Sequence, residues 1–475
     1  YAVEIITDII DDYKKKSEKK YVLIIDGVEN IIPQCTRYRV LNKAEQLEKL
    51  GYDVKVVNLS KLQLLDCKGA SHIIIYRAPD LPILSQVCQL ANKTGVPVFY
   101  DIDDLVFDTK YTDQLAYTQG LSTADKNNYD GSVRGYGRML DKCDAVITST
   151  NQLAKELRNY KSTVILNRNV LSQELVEISQ KTSHMELDDN KVRMGYFSGS
   201  ITHNENFEMI KPAIISLLKE YKSLELHLAG HLDIPEDIAC FGEQIVTHPY
   251  VDWRELPKLI SSIDINLAPL VQSTFNEAKS EIKWLEAAAV KVPTVASKIG
   301  SFEDMIEDGI DGVLASETEW KEKLERLIVD KDFRIQIAEN AYQSVMTNST
   351  TSAIKKKNIL FVTPTTTFDN GAEISIFYLM KYLVSQGYNV FSVCQEIPEP
   401  QQDEHRKHYD EVGINAIYLP AAKWWWEDAP GGQPGSKAHR VESYRRNIKE
   451  IGGVIEEYSI DLVISNQLRD PIHLY

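Results

Sequence analysis

The stretch NEAKSEIKWLEAAAVKVPTVAS, residues 276–297, reads as a polar loop, a short helix, a small-residue turn and a buried strand. Lys279, Lys283 and Glu286 lie near the start of the helix. The first N–H groups of a helix are unpaired and its dipole favours an anion, so this start suits a phosphate. A carboxylate one to two turns further on suits two neighbouring hydroxyls, as on a ribose. The local chemistry is that of a nucleotide site without a P-loop or a Rossmann glycine triplet.

Strand-like and helix-like segments alternate on both sides of this stretch. Apolar runs of strand length before it include YVLIID, DVKVVN, HIIIY, PVFYDI, DAVITS and TVILN, and the alternation restarts with RMGYF, ELHLAG and DINLAP. Residues 37–50 have helical spacing and end at Gly51, a helix C-cap signal. Apolar strands alternating with helices predict a parallel sheet covered on both faces. We therefore predict an α/β fold with two facing, doubly wound Rossmann-like domains and a ligand cleft between them.

The same pattern predicts the domain bounds. Residues 1–20 are a linker or the end of an upstream helix, residues 21–180 the first domain and residues 190–347 the second, with a polar linker around 176–192. A partial third α/β domain is predicted at 357–475.

An internal repeat underlies the third domain. Asn358–Val390 parallels Tyr21–Val54, since both run strand, loop, helix and then L-x-x-x-GY-x-V, with glycine at Gly51 and Gly387. A repeat this long indicates duplicated multi-domain units and not a solenoid.

Composition limits the class of protein. The 475 residues exceed what one core holds, and a hydrophobic fraction of 43% is ordinary for a globular protein. The net charge of −16 argues against non-specific nucleic-acid binding, which needs a basic surface. The 6 cysteines form no CxxC pair, which fits a reducing compartment and neither a disulfide framework nor a zinc site. No apolar run approaches the length of a membrane-spanning helix.

Residues 276–314 resemble the retaining glycosyltransferases of family four, the group 1 type with the GT-B fold. In that family a helix carries a Glu, seven residues and a second Glu, followed by a small-residue turn and a P-x-V-A-S strand. Glu286 falls at the second Glu, and GYFSGSITHNENF (195–207), LHLAG (226–230) and GSFEDMIEDGIDGVLAS (300–316) match further family segments. The resemblance covers 21–347 as one unit, and 358–475 looks like the start of a second. The position of the first Glu holds Ala278, for which Glu277, Lys279 and Glu281 are neighbouring stand-ins.

The resemblance implies a donor site on the second domain. Glu286 would bind the ribose, and Lys279 and Lys283 would balance the donor diphosphate. Ser280 is predicted as the helix N-cap and a phosphate contact. The glycine in the loop after RMGYF lets the backbone approach a phosphate. The predicted donor-binding residues are Gly199, Ser200, Lys279, Ser280, Lys283 and Glu286. His203 in the same loop would touch the donor sugar or phosphate, or is a surface histidine.

Acceptor contacts are predicted on the first domain. Asp101, Asp103 and Asp104 end a strand in YDIDDLVFD, where they would face the cleft, bind acceptor hydroxyls or orient the reaction; the alternative is turn and cap chemistry. D-x-D at a strand end also holds a metal in single-domain GT-A transferases, but the second α/β unit argues against that. Arg37 and Arg39 would reach a phosphate of donor or acceptor, or are surface charges. The predicted catalytic residues are Asp103, His203 and Glu286, and the predicted acceptor-binding residues are Arg37, Arg39, Asp101 and Asp104.

The function implied is transfer of a sugar from a UDP-, GDP- or dTDP-sugar, a substrate and not a cofactor, to a saccharide or lipid-linked saccharide. No metal is expected, because lysines and helix N-termini can neutralise the diphosphate. By resemblance the transfer retains configuration and serves bacterial surface polysaccharide assembly, such as O-antigen. The protein would be cytoplasmic, with peripheral contact at the inner membrane face and other domains of a longer chain as partners. The alternatives are a catalytically inactive GT-B scaffold, favoured by Ala278, and a nucleotide-sugar epimerase-like enzyme.

Overall fold

The computed structural model describes the chain in segments and divides it into two compact units, Tyr1–Ile354 and Lys355–Tyr475. The described residues are 20–113, 115–182, 190–198, 204–230, 234–353, 358–362, 371–385, 388–395, 401–419, 437–458, 460 and 462–465.

The first unit begins with a six-stranded parallel sheet in the order β2-β1-β3-β4-β5-β6. Its strands are β1 (Tyr21–Asp26), β2 (Asp53–Asn58), β3 (Ala70–Tyr76), β4 (Val98–Asp101), β5 (Ala145–Thr148) and β6 (Val164–Leu166). The helices around it are Pro33–Cys35, Thr36–Leu41, Asn42–Lys49, Leu59–Lys61, Leu64–Cys67, Pro82–Thr94, Thr109–Thr112, Ala116–Gln119, Thr123–Lys142, Asn151–Leu157 and Gln173–Thr182. On β1, Leu23 and Ile25 pack into one core while Val22 and Ile24 pack into another on the opposite face. Two buried faces explain why the strand is apolar throughout.

A second six-stranded parallel sheet follows in the same unit, in the order β12-β11-β10-β7-β8-β9. Its strands are β7 (Val192–Ser198), β8 (Leu224–Gly230), β9 (Ile245–His248), β10 (Ile265–Ala268), β11 (Thr294–Ser297) and β12 (Val313–Ala315). Its helices are Asn204–Glu220, Glu236–Ala239, Gly242–Gln244, Leu256–Ile260, Thr274–Glu277, Ile282–Ala289, Gly300–Met305, Trp320–Val329 and Lys331–Asn348. The strand order reverses between β7 and β10, the point where ligands bind in open α/β sheets. The predicted α/β class with doubly wound, GT-B-type sheets is confirmed.

The second unit holds a four-stranded parallel sheet in the order β15-β14-β13-β16 within the described residues. Its strands are β13 (Asn358–Val362), β14 (Asn389–Gln395), β15 (Ile414–Leu419) and β16 (Leu462–Ser465), and its helices are Gly371–Ser385, Gln401–Asp410 and Lys437–Glu457. The pairs β1–β2 and β13–β14 are both parallel and joined by a helix, as the repeat predicts. The likeness ends there, because β15 extends the sheet beyond β14 whereas β2 is an edge strand. Gly387 lies outside the described residues.

Two local predictions need correction. The polar stretch at 176–192 is not linker throughout, because the helix Gln173–Thr182 runs into it and buries Leu175 and Val176 in a core. The helix predicted at 37–50 begins as a π-helical turn, Thr36–Leu41, before the α-helix Asn42–Lys49. Gly51 follows its C-cap with φ 87°, a left-handed conformation that favours glycine.

No helix in the described part of the chain is long and apolar enough to cross a membrane.

Two stacked histidines lie at the edge of the second sheet and predict sensitivity to acid. The Nδ1 atom of His227 lies 3.0 Å from Nε2 of His248, and its Nε2 atom lies 3.2 Å from Oε2 of Glu225. Burial lowers the pKa of both histidines below 6.5. The unfolded chain therefore binds more protons than the folded chain at pH values below about 6.5. We predict that this contribution to stability is complete above that pH and is lost as the pH falls through the depressed folded values.

The measurement is the melting temperature between pH 7.5 and 5.5 for the wild type, His248→Asn and the control His72→Asn. The control should lose stability on acidification as the wild type does, and His248→Asn should lose less. Parallel curves for all three proteins would contradict the prediction.

Candidate functional site

Glu286 lies on the helix Ile282–Ala289, here called the site helix, and contacts the first domain. Its Oε1 atom accepts hydrogen bonds from Nη2 of Arg37 at 2.9 Å and from the Tyr38 hydroxyl at 2.8 Å. On the same helix Trp284 is 1% exposed and its Nε1–H donates to the carbonyl of Asp311 at 2.9 Å. Because Trp284 is buried within the second domain, Lys283 and Glu286, three residues apart, share another side of the site helix, where Glu286 meets the first domain.

Lys279 and Lys283 stand close together, with the carboxylates of Asp104 and Glu286 as more distant counter-charges. Their ammonium groups lie 5.7 Å and 4.6 Å from the ring centroids of Phe275 and Tyr196. Within the described residues neither ammonium group lies within 4.0 Å of a carboxylate oxygen. Burial lowers the pKa of both lysines, and the charge of Lys279 helps lower that of Lys283 to about 7. Two desolvated cations side by side favour binding of an anion.

Ser280 has a different role from the one predicted. The chain turns through the helix Thr274–Glu277 and enters the site helix late, so that Glu281 is the N-cap and makes no side-chain capping bond. The Ser280 hydroxyl instead accepts a hydrogen bond from Nδ2 of Asn169 at 2.9 Å. The N-cap prediction is wrong, and the phosphate contact stays a prediction. Gly199, Ser200 and His203 lie outside the described residues.

Asp101 and Arg39 are buried in the protein, whereas the sequence predicted that Asp101 faces the cleft and that Arg39 reaches a phosphate or is a surface charge. Asp101 is 0% exposed; its Oδ1 accepts from Nη2 of Arg39 at 2.8 Å and its Oδ2 accepts from Nζ of Lys43. Arg39 also donates to the carbonyl of Asn167 at 2.7 Å. These groups satisfy one another at the carboxyl end of β4, and their contact with an acceptor stays a prediction.

Asp103 and Asp104 lie nearer the surface. Asp103 accepts from the Tyr76 hydroxyl at 3.0 Å and from Nη1 of Arg77 at 3.4 Å. Asp104 lies 3.9 Å from Arg77, and burial raises the pKa of its carboxyl group while Arg77 and Lys279 oppose the rise. The two aspartates of the D-x-D pattern thus have different cationic partners, since Asp103 pairs with Arg77 and Asp101 with Arg39 and Lys43. No group of three or more metal-ligating side chains converges among the described residues.

Comparison with known proteins identifies the second sheet. Residues 193–330 match the family glycosyl transferases group 1. This group 1 segment spans β7 to β12 and the site helix, and over these residues it confirms the resemblance to group 1 glycosyltransferases. No curated protein matches the chain.

Solved structures of similar proteins cover 70% to 77% of this chain at low identity. They include HepE from Anabaena in complex with UDP and glucose, at 14% identity and TM-score 0.48, covering 70% of this chain and 96% of that one. Sucrose-phosphate synthase from Thermosynechococcus elongatus is similar at 13% identity and TM-score 0.48, covering 77% of this chain and 100% of that one. A glycosyltransferase from Rickettsia africae has 14% identity and TM-score 0.48, covering 70% and 95%.

Ala278, the departure from the family pattern, lies at a domain contact and not in the cleft. It is 0% exposed and packs into the core of the first domain, and its carbonyl accepts from Oγ1 of Thr150 at 3.0 Å. Among the stand-ins, Glu277 accepts from the side chain of Gln272. Glu281 is buried 3.8 Å from Arg168. The role of these carboxylates in place of the missing one stays a prediction.

Sequence reasoning missed three residues around this site. Tyr38 binds Glu286, and Trp253 stacks on Arg37 with 4.7 Å between the guanidinium carbon and the ring centroid. Arg77 holds Asp103 and Asp104 from a strained backbone with φ 39°. The motif CTRYRV placed Tyr38 between two candidate arginines, which was the one available signal. Nothing in the sequence pairs Trp253 with Arg37.

Proposed function

We propose that the first unit binds a nucleotide-sugar on its group 1 segment and transfers the sugar to a saccharide or lipid-linked saccharide. Group 1 glycosyltransferases use a nucleotide-sugar as substrate. The observation that carries the proposal is the placement of Glu286, which contacts the first domain through Arg37, beside two desolvated cations, Lys283 on the site helix and Lys279 just before it.

In this proposal each group has one task. Glu286 exchanges its bonds from Arg37 and Tyr38 for the ribose hydroxyls, and the two lysines neutralise the diphosphate. Their charge stabilises the leaving group as the glycosidic bond breaks, which takes the place of a metal ion. Asp103 and Asp104 orient the acceptor from the first domain. Closure of the two domains excludes water and aligns the reactants, with retention of the anomeric configuration.

The biological setting proposed rests on the family resemblance. It favours bacterial surface polysaccharide assembly, including O-antigen, by a cytoplasmic protein that touches the inner face of the membrane through its acceptor, and a second transferase unit beginning at residue 357. Flotation of the full chain with liposomes tests the membrane contact; a protein that stays at the bottom with and without lipid-linked saccharide would refute it.

Nucleotide binding tests the donor site directly. UDP, GDP and dTDP are added to the wild type, to Glu286→Ala and to the control Glu322→Ala, whose carboxylate is exposed on another helix. A nucleotide at 100 times its dissociation constant stabilises the fold by about 2.7 kcal/mol. We expect one nucleotide to raise the melting temperature of the wild type and the control, and to lose most of this effect on Glu286→Ala. An unchanged shift in Glu286→Ala would show that the donor carboxylate is assigned wrongly.

Nucleotide affinity should depend on pH through Lys283. Its pKa is near 7 in the free protein because it is buried beside Lys279, and a bound diphosphate raises it. Binding therefore takes up a proton, and the dissociation constant of UDP should rise up to about tenfold per pH unit above pH 7 until the bound pKa is reached. Titration calorimetry at pH 7, 8 and 9 measures this. Lys283→Met should bind weakly with a flatter profile; equal slopes in both proteins would contradict the assignment.

A catalytically inactive scaffold is the second candidate. Burial of Ala278 in the first domain leaves the group 1 segment without its first carboxylate, and Glu286 is already satisfied by Arg37 and Tyr38. This candidate predicts that no nucleotide changes the melting temperature. A change in melting temperature with any of the three nucleotides that is lost in Glu286→Ala would contradict this prediction.

A further inference from the structure

A cavity of about 460 Å³ opens at the carboxyl ends of β10, β11 and β12. Glu286, Lys279 and Lys283 are not among its lining residues. Gln272, at the edge of the cavity, donates a hydrogen bond to Glu277 in the helix Thr274–Glu277, which precedes the site helix. The cavity is thus next to the proposed donor site and separate from it.

The floor of the cavity is apolar and its rim is polar. Leu270, Ile299 and Ala315 form the floor and are 8%, 9% and 1% exposed. The exposed rim consists of Gln272, Lys298, Ser316, Glu317 and Thr318. The backbone N–H of Lys298 donates to the carbonyl of Ala315 at 2.9 Å, which ties the loops after β11 and β12 together. The lining is therefore fixed by strand ends.

Hydroxyl and amide groups around this floor offer both donors and acceptors. The Ser297 hydroxyl accepts from the backbone N–H of Leu270 at 2.8 Å, which leaves its own hydrogen to donate. The Ser316 hydroxyl donates to Oε2 of Glu319 at 2.5 Å, which leaves its lone pairs to accept. Thr318 and Gln272 carry both kinds of group.

The chemistry selects a neutral, polyhydroxylated ligand. An anion would meet Glu317 and Glu319 with Lys298 as the one cation among the lining side chains. An apolar ligand would leave the hydroxyl and amide groups of the rim unpaired. A sugar ring matches both surfaces, since its C–H face suits the floor and its hydroxyls suit the rim. The volume falls in the range of about 300–1,000 Å³ that small ligands occupy.

We propose that this cavity binds one sugar unit of the saccharide acceptor, at a distance from the unit that reacts. The proposal rests on the proposed function, in which the acceptor is a saccharide. A second sugar contact away from the cleft would add affinity for a chain over a single sugar without touching the reacting atoms.

Ligand-observed NMR with simple sugars tests the site without knowledge of the natural acceptor. The probes are methyl α-D-mannopyranoside, methyl α-L-rhamnopyranoside, methyl β-D-glucopyranoside and N-acetylglucosamine, added to the full chain. We expect at least one probe to show saturation transfer from the wild type. Ser316→Trp and Thr318→Trp fill the cavity from its exposed rim and should abolish that signal, while Glu322→Trp, on an exposed helix surface, should keep it.

Absence of a signal from every probe, or a signal that persists in both filled variants, overturns the proposal. Loss of the signal in Glu286→Ala would place the sugar in the donor site and also overturn it. The UDP-induced change in melting temperature, measured on the same variants, keeps the two proposals apart. If UDP has no effect on the wild type, the proposed function fails, whereas the sugar signal reports on the cavity alone.

Discussion

Replacing Lys283 by methionine is expected to lower kcat/KM for sugar transfer by about 10²–10³-fold, the effect of removing one charge-stabilising group from an active site. The ammonium group lies over the Tyr196 ring at 4.6 Å from its centroid, in a buried position beside the second cation Lys279. Methionine keeps the length and apolar stem of the side chain and removes the charge. Steady-state kinetics with the nucleotide-sugar identified by thermal shift provides the measurement.

Whether kcat or KM changes in Lys283→Met distinguishes two roles of this lysine. Charge stabilisation of the leaving diphosphate predicts a fall in kcat, while simple anchoring of the donor predicts a rise in KM with kcat unchanged. Lys258→Met is the matched control, since Lys258 is exposed on the helix Leu256–Ile260 and should be neutral. A change in kcat/KM below about threefold for Lys283→Met would refute the role of Lys283 in the reaction.

The periodicity of the sequence was sufficient for the fold class and for the position of the site helix. Parallel strands such as β1 are apolar on both faces, and this signal is local in the chain. The strand order depends on pairing between distant parts of the chain. In the first sheet the third strand, β3, pairs with β1, whereas in the sheet of the second unit the third strand, β15, pairs with β14. A repeat in sequence therefore predicted one βαβ unit correctly and could not define the sheet around it.

The candidate site could be predicted from the sequence only where its residues lie on a single helix or strand. Glu286 and Lys283 follow from one helix and its resemblance to a family. The bond between Arg37 and Glu286 joins positions 249 residues apart, and no spacing in the chain encodes it. The D-x-D pattern gave no sign that Asp101 is buried for the same reason, because its partners Arg39 and Lys43 lie on the distant helices Thr36–Leu41 and Asn42–Lys49.

Replacing Asp101 by asparagine is expected to destabilise the first unit by about 3–5 kcal/mol, the cost of removing one partner from a buried ion pair. The side chains of Arg39, Lys43 and Asp101 are 1%, 6% and 0% exposed. Asparagine matches the shape of aspartate and leaves two buried cations without the carboxylate that pairs with both of them. Urea unfolding of the full chain, with Asp332→Asn as an exposed control, measures the difference in free energy.

The same cluster offers an internal check on this cause. Burial and the neighbouring Arg39 already lower the pKa of Lys43 to about 8, so without Asp101 this lysine is the cation that gives up its proton. Replacing Lys43 by methionine in the Asp101→Asn background removes the buried, unpaired amine, and the double variant should regain part of the lost stability. Arg39 keeps its bonds to the carbonyl of Asn167 and to Oδ1 of Asn169 at 2.7 Å and 3.0 Å in either case. A double variant less stable than Asp101→Asn alone would mean that packing, and not uncompensated charge, accounts for the loss.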